Sequence, residues 1–79
     1  MPDDLTRRIR ARHELMSPGQ RRVADHLLEN YEDAAFQSAA CIARAVGVSE
    51  SLVVRFAASL GYEGFRDLSS ALGERVKAR

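Results

Sequence analysis

An all-α fold, a compact bundle of about five helices, is predicted by three features of this 79-residue sequence. Apolar residues recur three and four positions apart in successive stretches, the spacing of one helix face. Serines that can cap a helix stand at the head of several of these stretches. No stretch alternates apolar and polar residues for long enough to make a strand. The length allows one domain, and a hydrophobic fraction of 46% is that of a folded chain.

The first helix starts at Asp3 or Asp4 and carries Leu5 and Ile9 on its apolar side, with the stripe reaching toward His13 or Met16. Arg7, Arg8, Arg10 and Arg12 occupy its other faces, either as a solvated surface or as a phosphate-facing patch. Ser17-Pro18 opens the second helix: a capping serine, then proline at the first helical position, where its missing N–H costs nothing. Val23, Ala24, Leu27, Leu28 and Tyr31 form its stripe, and it runs to about Asn30 or Tyr31. Arg21 and Arg22 are one-turn neighbours of Asp25 and are placed to pair with it. Residues 32–37 read as a connector or a single helical turn, with Phe36 expected in the core.

Residues 38–61 are the organising stretch. Ser38 caps a helix whose apolar side is Ala39, Ile42, Ala43 and Val46. Gly47 stops it, because glycine takes a left-handed backbone without steric cost. Val48 plugs the corner, and Ser49 caps a second helix bearing Leu52, Val53, Phe56, Ala57 and Leu60, closed by Gly61. Two capped helices joined by a short glycine-containing turn are the helix-turn-helix pattern, here in a homeodomain-like setting. In that pattern the second helix lies in the DNA major groove. After the connector Tyr62-Glu63-Gly64 a last helix starts near Gly64 or Phe65. It carries Phe65, Leu68, Ala71 or Leu72, and Val76, is weakened at Gly73, and frays over Lys77 to Arg79.

Placed at ~100° steps, Val53, Phe56, Ala57 and Leu60 fall on one side of the second motif helix. Ser51, Val54, Arg55 and Ala58 fall on the other. That outward side is small, which permits close approach to a groove, and Arg55 can hold guanine O6 and N7 together. The competing role for Arg55 is a surface salt bridge. The helix start at Ser49 can receive a phosphate through free N–H groups. Glu50 can accept from a cytosine amino group, or it stabilises the helix start and repels phosphate.

Charge and composition exclude several functions. Net charge is +1, with net +3 over residues 1–22, −4 over 23–36 and +2 over 37–79, so the acidic middle and basic flanks should lie on different surfaces. The single cysteine, Cys41, allows no internal disulfide and reads as a small core or half-buried residue. No apolar run reaches the about 18–20 residues of a membrane span, and the N-terminus is unlike a signal peptide, so a cytoplasmic location is expected. No nucleophile with a base, no paired carboxylates and no phosphate-binding glycine loop suggest an enzyme, and His13 and His26 lack metal-like spacing.

These residues resemble the N-terminal DNA-binding domain of the RpiR family of bacterial transcriptional regulators, over nearly the whole chain. The resemblance is carried by Met16 to Asn30, by Ile42-Ala43 with Gly47-Val48-Ser49, and above all by Val53-Val54-Arg55-Phe56 followed by Leu60-Gly61-Tyr62, Gly64-Phe65 and Leu68. It implies one domain over 1–79 with the motif at about 37–61, binding an operator in double-stranded DNA and regulating genes of sugar or phosphosugar metabolism. It also implies a homodimer and a C-terminal domain, absent from this chain, that takes a phosphosugar effector. No cofactor is implied. By position, Ser49, Ser51 and Arg55 carry over best as DNA contacts, with Gln37 and Ser38 as phosphate contacts at the motif's entry and Glu50 and Leu52 beside them. Leu52 stands where the family usually has Thr, and Ala39 where it has a larger aliphatic residue. The alternative is a helical association or dimerisation module without DNA contact, favoured by the weak net charge and the acidic segment 25–33.

Overall fold

The computed structural model describes residues 4–78. The chain runs α1 (Asp4–Arg12), a 3-10 turn (His13–Leu15), α2 (Pro18–Glu29), α3 (Tyr31–Ala34), α4 (Ala39–Val46), α5 (Glu50–Ser59) and α6 (Phe65–Ala78). There is no strand among the described residues. Five helices of eight residues or more, with α3 as a single turn, make the expected bundle. The expectations at Asp3 and Arg79 lie outside the described residues.

Local chemistry sets most of the boundaries. At α2 the Gln20 N–H donates to Ser17 Oγ (3.3 Å) while the Ser17 N–H donates to Gln20 Oε1 (3.0 Å), a reciprocal cap behind Pro18. Asn30 ends that helix, donating both its N–H and its side-chain amide to the His26 carbonyl. The Cys41 N–H reaches Ser38 Oγ (3.1 Å) and the Leu52 N–H reaches Ser49 Oγ (3.2 Å). Gly47, at φ 85°, turns the chain out of α4.

The core is one cluster. Val23, Ala24, Leu27, Ile42, Val53, Phe56, Ala57, Leu68 and Leu72 have no exposed surface, and Leu5, Ile9 and Met16 close the α1 side. Side-chain links tie the first and last helices in. Arg75 Nη1 donates to Thr6 Oγ1 (2.9 Å) and its guanidinium lies 4.8 Å from the Tyr31 ring centroid. Ser69 Oγ donates to the Ala35 carbonyl (3.3 Å).

Three expectations are corrected. Phe36 does not enter the core: its side chain is 87% exposed. The turn after α3 closes through Phe36 N–H to Asp33 O and Gln37 N–H to Ala34 O. Ala34 and Ala39 fill the buried positions on either side, so the ring between them points out. Arg21 turns away from Asp25 and donates to the carbonyls of His13 (3.1 Å) and Glu14 (3.2 Å) at the 3-10 turn. Cys41 is exposed, because it follows the cap on the outer side of α4.

Candidate nucleic-acid interface

The outward face of α5 lies where its helical phase predicts. Val53, Phe56 and Ala57 are fully buried and Leu60 nearly so, which fixes the rotation of the helix. Ser51, Val54, Arg55 and Ala58 are exposed on the opposite side. Glu50, Ser51, Val54 and Arg55 together line an open hollow on that surface. Arg55 Nε makes a long contact to the Ser51 carbonyl (3.4 Å). Arg55 has no ion pair among the described residues, unlike Arg7 and Arg8, which pair with Asp4. The salt-bridge role for Arg55 therefore finds no carboxylate, and its terminal nitrogens remain free to donate outward.

Around this face the remaining candidates divide by what their polar atoms already do. Ser38 and Ser49 each spend an oxygen lone pair on a helix cap, and each hydroxyl keeps its proton to donate to a phosphate. Glu50 occupies the first turn of α5, where its charge suits the helix dipole. Gln37 is half-buried ahead of α4, with its Oε1 enclosed and lacking a donor. Leu52 is half-buried and is drawn toward α2: a Cβ at Gly19 would sit 2.9 Å from Leu52 Cδ1. That close approach brings the start of α2 beside the start of α5.

Ser17 and Gln20 consequently line a second hollow with Leu52 and Arg55. Sequence reasoning identified Ser17 only as a cap. Gly19 is buried there, and nothing in the neighbouring sequence says that another helix passes close by. Among the described residues no group of His, Cys, Asp and Glu could hold a metal ion, and no helix is long and apolar enough to cross a membrane.

Comparison with known proteins agrees with the helix-turn-helix fold. Residues 4–79 match a family described as the helix-turn-helix domain of the rpiR family. The chain is 39% identical over 72 residues to YfhH of Escherichia coli K12, an uncharacterized HTH-type transcriptional regulator, covering 91% of the chain and 26% of that protein. It is 34% identical over 73 residues to the HTH-type transcriptional regulator HexR of Pseudomonas aeruginosa, covering 92% of the chain and 26% of that protein. The chain thus spans about a quarter of the length of these curated relatives.

Proposed function

The chain belongs to the rpiR family of helix-turn-helix domains, and from that premise we propose that residues 37–61 read one half-site of a DNA operator for an RpiR-type transcriptional regulator. The observation that supports this most is the division of α5. One side is sealed in the core, while the other offers small side chains and an arginine without a carboxylate partner. In the major groove, Arg55 donates to guanine O6 and N7, with Ser51 beside it. Ser38, Ser49 and Gln37 reach phosphates at the helix starts, and positioning contacts of this kind set register without reading sequence. Glu50 steadies the start of α5, and Leu52 serves as packing against α2 rather than as a polar contact.

The family assignment favours this reading over a helical association module, and it is a binding role, not a catalytic one. A single domain of this size reads one half-site, so a homodimer on a pseudo-palindrome follows. A further domain of the regulator, taking a phosphosugar effector and coupling it to sugar-metabolism genes, belongs to the same proposal, as does action in the cytoplasm on chromosomal DNA.

Arg55→Ala tests it. Specific binding should weaken by ~1–3 kcal/mol and preference should relax at one base pair. Wild-type affinity should also fall steeply with salt, as phosphate contacts release counterions. A variant that keeps both affinity and selectivity, or wild-type binding that ignores salt, would remove the assignment.

A further inference from the structure

The geometry assigns to Arg8 a positioning role in DNA reading: it clasps the far end of α5 to α1 and so fixes the angle at which Arg55 meets the bases. This rests on the reading of α5 given above. Arg8 is 52 residues from the carbonyl it serves: its Nη1 donates to Leu60 O at 2.9 Å. The same guanidinium holds Asp4 Oδ2 through Nε at 2.9 Å and lies 4.4 Å from the centroid of the Tyr62 ring. Tyr62 closes the loop, its hydroxyl donating to Asp4 Oδ2 at 3.3 Å. One planar side chain thus joins α1, the last turn of α5 and the connector to α6.

Each part has a physical reason. The last carbonyls of a helix lack intrahelical donors and carry the negative end of its dipole, which favours an arginine there. A planar guanidinium can donate at its edge while its face stacks on an aromatic ring, and lysine cannot do both. Tyr62 is buried, and burial together with the Asp4 charge pushes its hydroxyl up to about 12, so it stays a donor to Asp4. Gly61 completes the fit. At φ 91° it carries the chain around the clasp, and a Cβ there would lie 3.1 Å from Arg8 Nη1.

The consequence is leverage. α1 packs chiefly on α6 and the 3-10 turn, so Arg8 is its polar link to α5. The start of α5 is held by Ser49 and by the Gly19–Leu52 contact. Its end is held by the buried Phe56, Ala57 and Leu60 and, on the polar side, by Arg8. A ten-residue helix is a rod of ~15 Å, and a small tilt at one end shifts Arg55 against the base edges. Such a shift harms base contacts, which need defined geometry, more than phosphate contacts, which do not.

The test uses an operator selected from a random pool with the wild-type chain, and unrelated duplex DNA as the reference. Arg8→Met removes the donors and the charge; Arg8→Lys keeps the charge and loses the fork. Both are measured at a temperature where circular dichroism shows each fully folded. Arg8→Met should lower the specific-to-nonspecific affinity ratio about tenfold, the size of one weakened base contact, and Arg8→Lys should lower it in the same direction. Stability alone would scale both affinities by the folded fraction and leave their ratio unchanged. An unchanged ratio in both variants overturns the clasp as a positioning device. So does a loss in Arg8→Met alone that is equal on both DNAs with a shallower salt slope, which marks Arg8 as a phosphate contact. Should Arg8→Met not fold, Arg8→Lys and Tyr62→Phe, which removes only the hydroxyl on Asp4, read the same ratio. A wild-type chain that binds neither DNA fails earlier, at the DNA reading itself.

Discussion

The turn entering α5 and the turn leaving it have nearly the same backbone and are held by different means. Each contains a glycine at positive φ, Gly47 at 85° and Gly61 at 91°. Each wraps the preceding helix with paired hydrogen bonds: Gly47 and Val48 N–H to Ala43 O, then Gly61 N–H to Ala58 O and Tyr62 N–H to Ala57 O. At the entrance the further hydrogen bond is local: Ser49 caps the helix it begins. At the exit the extra donor comes from Arg8, on a helix at the other end of the chain. The same turn can thus be closed by its own residues or by a distant side chain, and only the first is written in neighbouring sequence.

Alanine at each glycine separates the two. Gly47→Ala should cost about 1–2 kcal/mol, the left-handed strain alone, since a Cβ there meets nothing within 4 Å. Gly61→Ala carries the same strain and also crowds Arg8 Nη1, adding an overpacking cost of about 1 kcal/mol. In an Arg8→Met background the excess should vanish and the two glycines should cost the same. Denaturant unfolding of the four variants measures this, and equal costs in the wild-type background would erase the distinction between the turns.

The entrance can be tested by itself. Ser49→Ala removes the side-chain acceptor of the Leu52 N–H, leaving the Ser49 carbonyl at 3.2 Å, and should cost about 0.5–2 kcal/mol, with no change in the Gly61 penalty. Thermal unfolding at wild-type midpoint would show that the Ser49 carbonyl alone satisfies the Leu52 N–H.

The same contrast explains what the sequence made legible. The caps at Ser17, Ser38 and Ser49, the stop at Gly47 and the phase of α5 depend on residues within a few positions of each other, and all stand where periodicity and capping place them. Ser51 and Arg55 follow from that phase, because Val53, Phe56 and Ala57 leave the helix only one way to face. The acidic middle is the opposite case, where pattern misleads. Phe36 is the largest apolar residue near the motif's entry, so hydrophobicity sends it inward. The space there is instead taken by Ala34 and Ala39, and the tight turn leaves no path for a ring. Arg8 was one of four arginines on a polar face, with nothing nearby to single it out. Its partner, a backbone carbonyl, leaves no trace in side-chain pattern. The contact of Gly19 with Leu52 is likewise tertiary.

Gly73 supplies the smallest effect and the opposite sign. It lies inside α6, away from any turn, and has no left-handed φ to require glycine. A Cβ at that position meets nothing within 4 Å, so alanine adds no clash. What alanine changes is the unfolded chain, which has fewer conformations to lose, and the helix interior, where glycine is disfavoured. Gly73→Ala should therefore stabilise the domain by about 0.5–1 kcal/mol and raise the unfolding midpoint by about 2–8 °C. DNA affinity at a temperature where both proteins are folded should stay the same, since α6 contributes no residue to the outward face of α5. If Gly73→Ala instead destabilised the chain as the two turn glycines do, then a bend or a close neighbour at α6 would outweigh helix propensity, and the division of these glycines by backbone need would fail.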